Sequence, residues 1–86
     1  MNIDQYQEVV GELARRHYNI ELKELPYADG DEAETAMHFG IRPFEALNGY
    51  VQEHGLVRLD SASNAPLTQE DEHAVKTHLK SMKPRR

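Results

Sequence analysis

Residues 40–60, GIRPFEALNGYVQEHGLVRLD, pass from a helix stop to a helix start with almost no slack. Gly40 supplies the left-handed conformation that ends a helix, and Ile41 after it can fold back on the preceding turn. Pro43 suits the first position of a new helix, where its missing N–H is not needed. Phe44, Leu47 and Val51 then recur at three- and four-residue steps, flanked by Ala46 and Tyr50, and make one apolar stripe. Gly55 stops this helix. In Leu56-Val57-Arg58-Leu59-Asp60 the period changes to 2, which puts Val57 and Leu59 on one side and Arg58 on the other. The stretch therefore predicts helix, tight corner, helix, strand.

Upstream, Asn2 and Gln5 form a capping pair for a helix running to about His17. Its stripe is Ile3, Tyr6, Val10, Leu13 and His17, widened by Val9 and Ala14. Gly11 weakens that helix by about 1 kcal/mol relative to Ala unless something packs closely on it. Ile20-Glu21-Leu22-Lys23 alternates apolar and charged residues and reads as a short strand ending before Pro26. Its natural partner is Leu56–Asp60. Asp29-Gly30-Asp31 makes a turn and an N-cap for a helix over about 31–39, with Ala33, Ala36 and Met37 inward.

Downstream, residues 61–66 form a loop by composition. Thr68 and Asp71 make an approximate capping box for the last helix, whose stripe is Ala74, Val75, Leu79 and Met82. Its acidic first turn and basic last turn both suit the helix dipole. The expected fold is α+β: a small four-helix domain with a minimal two-stranded sheet pairing Ile20–Lys23 with Leu56–Asp60. It is one domain over residues 1–86, with 81–86 a frayed tail.

Composition narrows the chemistry. Fifteen acidic residues against ten basic ones give a net charge of −5, which opposes non-specific binding to nucleic acid. The ten basic residues are unevenly spread, and five of them (Lys76, Lys80, Lys83, Arg85, Arg86) lie in the last eleven positions. There is no cysteine for a disulfide or a thiolate metal site. The acidic N-terminus has no signal-peptide pattern and no apolar run has the length of a membrane span, so a cytoplasmic protein is expected.

No pair of the five histidines has the i, i+4 spacing of a helical zinc site, and no local motif offers a nucleophile or a phosphate loop. The sequence predicts no enzyme, no metal and no cofactor. Ala36, Gly40 and Ala46 sit near the positions a helix-turn-helix needs, which makes a nucleic-acid binder one alternative. Its recognition helix would set Arg42, Asn48 and Gln52 against Glu45 and Glu53, a poor match to phosphate. A small adaptor module is the other alternative. The residues expected to meet a protein partner are Arg58, Tyr50, Tyr27, Asn48 and Arg42. Arg58 has a competing role as a cross-strand partner of Glu21, and each tyrosine has one as core packing.

The ordered set His17-Tyr18, Leu22, Pro26-Tyr27-Ala28-Asp29, Gly40-Ile41, Ala46, Asn48, Val51 and Leu56-Val57-Arg58-Leu59-Asp60 resembles the CbtA/YeeV family. These are the toxins of bacterial type IV toxin–antitoxin pairs. That family has a His-Tyr pair ending its first helix, a Pro-Phe-Ala-Asp turn, a Gly-Ile corner, an Ala-x-Asn helix and a closing Leu-Val-Arg-x-Asp. Residues 3–60 follow this pattern, with a looser echo over 74–80. Glu24-Leu25 and Tyr27 depart from it, and the family continues beyond the position of Arg86, so the likeness is to a C-terminally shortened form. The resemblance implies a cytoplasmic toxin that binds the cytoskeletal proteins MreB and FtsZ and blocks their polymerisation without catalysis. It also implies an antitoxin that protects by bundling those filaments rather than by holding the toxin.

Overall fold

Asn2 and Gln5 exchange hydrogen bonds of 2.9 and 2.8 Å at the start of the first helix, α1 (Ile3–Tyr18). Two donors that the helix leaves without partners are thereby satisfied by residues three apart. The computed structural model describes residues 2–56 and 65–82. Within them α1 is followed by α2 (Gly30–His38), α3 (Pro43–His54) and α4 (Gln69–Met82). Tyr6, Val9, Val10, Leu13, Ala14 and His17 are buried along α1, and Ile3 is half-buried, as the stripe predicts. The helix packs against each of the other three. The core is completed by Ala33 and Ala36 from α2, Ala46 and Leu47 from α3, Leu67, and Val75 from α4.

No strand is present among the described residues, and the fold there is helical rather than α+β. Asn19 adopts the left-handed conformation (φ 57°), which an asparagine tolerates. The Ile20 N–H then turns back to the Ala14 carbonyl at 3.2 Å, so the donor expected to open the first strand is spent on closing α1. Leu22–Glu24 and Pro26–Ala28 form two short 3-10 turns instead. The Glu24 and Leu25 N–H groups bond the Glu21 and Leu22 carbonyls at 3.0 and 2.8 Å. Leu22 and Leu25, three apart, face inward with the period of a 3-10 turn, whereas a strand would place them on opposite sides. The second half of the expected sheet, residues 57–60, lies outside the described residues.

Leu22 lies over Gly11, where an added Cβ would stand 3.1 Å from the Leu22 Cβ. Close packing is thus the reason for a glycine within α1. The predicted box of Thr68 and Asp71 forms in both directions, at 2.8 and 3.3 Å. The stripe of α4 differs from expectation. Ala74 is exposed, and the buried positions are Glu72 and Val75 with Leu79 half-buried. The backbone of α4 continues through Ser81 and Met82, two positions expected to fray.

Candidate functional site

The corner between α2 and α3 is built from its backbone outward. Gly40 is left-handed (φ 72°), and its N–H reaches the Met37 carbonyl at 3.0 Å while the Ile41 N–H reaches that of Ala36 at 2.9 Å. The hydroxyl of buried Tyr6 donates to the Ile41 carbonyl at 2.8 Å and ties the corner to α1. Burial, followed by the neighbouring Tyr27 and the carboxylates of Glu72 and Glu45, pushes the Tyr6 phenol well up, so it stays a donor. The Arg42 N–H meets the Glu45 carboxylate at 2.9 Å, and Pro43 takes the first position of α3.

Glu72 enters this corner from α4, and its side chain is 0 % exposed. Its carboxylate accepts from the Phe44 N–H at 3.2 Å, from the Arg42 guanidinium at 2.6 Å and from the Lys76 ammonium at 3.0 Å. It therefore acts as an N-cap for α3 supplied from another helix, at the positive end of the dipole. Burial pushes this carboxyl up, but the hydrogen bonds from Arg42, Lys76 and Phe44 outweigh it and hold it below the usual carboxylate range. From the sequence, Glu72 belongs to the acidic first turn of the last helix, where its charge suits the helix dipole. The signal that pointed inward was its place three residues before Val75 and seven before Leu79, with Lys76 one turn on.

Four of the five expected partner-binding residues lie among the described residues. Arg42 spends its guanidinium on Glu72, although its side chain remains 45 % exposed. The Asn48 amide forms a two-way clamp on Leu67, donating to its carbonyl at 2.9 Å and accepting from its N–H at 2.8 Å. Two of the three polar groups that a DNA-reading α3 would present are thereby engaged internally. Tyr27 is half-buried, its ring centroid 6.5 Å from that of Tyr6, and burial raises its phenol pKa. Tyr50 is half-buried, 4.2 Å from the His54 ring, with a weak 3.4 Å contact to the Glu24 carbonyl. Arg58 lies outside the described residues, and the strand geometry proposed for Glu21 is absent.

The corner exposes instead two residues that were not among those candidates. Phe39 is 71 % exposed and Ile41 39 %, the large hydrophobic residues most open to solvent among those described. His38 meets the Phe39 ring edge-on at 5.4 Å. Beside them lies a cleft of about 290 Å³ lined by Met37, Ile41, Pro43, Arg42 and Lys76. An exposed aromatic beside a cleft of mixed apolar and cationic lining is chemistry for binding a protein surface. Among the described residues no three His, Asp or Glu side chains are placed to hold a metal ion, and no helix is long and apolar enough to cross a membrane.

No curated protein and no solved structure matches the chain. Residues 4–79 match the family model of the CbtA toxin of type IV toxin–antitoxin systems, and this span includes the corner, the Asn48 clamp and Glu72. The chain belongs to the CbtA toxin family of type IV toxin–antitoxin systems.

Proposed function

We propose that this toxin acts by binding a cytoskeletal protein of the MreB or FtsZ kind and blocking its polymerisation, with no catalytic step, in the cytoplasm. The observation that carries this reading is the family match over residues 4–79. The exposed Phe39 and Ile41, two residues apart on the corner, support it as apolar anchors that a partner surface can cover. Glu72 and Arg42 hold that corner in place. The reading is tested by pelleting purified MreB or FtsZ filaments with increasing amounts of the chain. The polymer fraction falls with the parent, and Phe39→Ala loses the effect while melting at the parental temperature. Unchanged pelleting of both filaments at saturating toxin contradicts the proposal.

A further inference from the structure

A second cleft adjoins the one at the corner. Between α1 and α4 lies a groove of about 480 Å³, lined on its apolar side by Val9 and Leu79 and on its polar side by Lys76, Lys80 and His73. Lys76 lines both this groove and the corner cleft, so one track leads from Ile41 and Arg42 past Lys76 to Lys80. The charge along it runs against that of the molecule. The chain carries a net −5, yet Arg42, Lys76 and Lys80 all line the track, where Arg42 and Lys76 share the buried carboxylate of Glu72. The Lys80 ammonium forms no ion pair among the described residues, while Glu8, the remaining carboxylate of the groove, is already engaged.

We infer that this track docks an acidic, amphipathic segment of a partner protein. Its apolar side chains enter the two clefts, and its carboxylates meet Lys80, Lys76 and Arg42. The inference rests on the protein-binding reading above and names the surface that performs it. A nucleic acid fits less well, because its phosphates would find three cations on a molecule of net charge −5. The lysines also have a positional logic. Lys76 and Lys80 are one helical turn apart, so carboxylates at helical spacing on the partner can meet both.

The test uses the full chain and a fluorescent peptide with Leu and Glu at helical spacing, read by anisotropy. A matched peptide with Lys in place of Glu and a DNA duplex serve as the other ligands. The parent binds the Glu peptide in preference to both. Lys80→Glu weakens that binding by about fivefold or more without moving the melting temperature, Lys80→Arg preserves it, and Lys23→Glu, outside the track, leaves it unchanged. Equal binding of the Lys peptide or the duplex overturns the inference, as does parental affinity in Lys80→Glu. A chain that arrests growth but ignores the Glu peptide overturns the docking track alone. One that binds the peptide but leaves cells unaffected overturns the toxin reading alone.

Discussion

Glu72 joins α3, α4 and the corner at a single carboxylate. Glu72→Gln keeps the size and one acceptor but removes the charge that Arg42 and Lys76 share. Both cations are partly exposed and can rehydrate, so the expected loss is about 1–3 kcal/mol, less than for a fully enclosed pair. The folded protein holds this carboxyl below its ordinary value of 4.5. Its contribution is therefore complete above that pH and fades as acid titrates the folded group. Melting curves across the acid range should fall more steeply for the parent than for Glu72→Gln, and parallel curves would remove Glu72 from the account.

The two glycines can be compared in the same way. Gly40→Val forces a β-branched residue to φ 72° and is expected to cost about 2 kcal/mol or more. Gly11→Ala gains helix propensity, but its methyl presses on the Leu22 Cβ, which moves only with the backbone of its turn. A net loss of about 0.5–1 kcal/mol is expected from overpacking. Denaturant unfolding that ranks Gly11→Ala as the worse variant would contradict the corner geometry. The end caps were legible in the sequence because donor and acceptor lie three residues apart, as at Asn2 and Thr68. Glu72 was not, because Arg42 lies 30 residues away and no local pattern pairs them.

At the scale of elements, α3 is held from both sides. Leu47, fully buried on its stripe, loses about 2–5 kcal/mol on replacement by Ala, and a loss under about 1 kcal/mol would show that the stripe faces elsewhere. Asn48→Ala removes both bonds to Leu67 and leaves a buried backbone pair unsatisfied, for a loss of about 2 kcal/mol. Hydrogen exchange should show the Leu67 amide opening in that variant while the amides of α1 stay protected.

The helices α1, α3 and α4 were readable because their apolar period extends over three or four turns, and the stops of α2 and α3 are marked by glycine. The segment after α1 was misread because four alternating residues carry too little pattern to separate a strand from a 3-10 turn. Leu22 and Leu25 decided it, together with the Ile20 N–H that α1 had already claimed.

For the whole molecule, the family was legible because its residues recur in order at matching spacing along the chain. The candidate surface was not. Asn48 and Arg42 looked like binding residues, as polar side chains on a helix often do, and both hold the fold together. Phe39, directly before the left-handed Gly40, is left in water. The central claim is that this fold carries a toxin working through a protein contact at that corner. Its most direct test is to induce the chain in a bacterial host, with Phe39→Ala at matched level, and follow growth and cell shape by microscopy. Growth arrest with rounded or elongated cells is expected for the parent, and normal rods for the variant. Normal growth and shape in cells full of the folded parent, or the same arrest from both proteins, would contradict it.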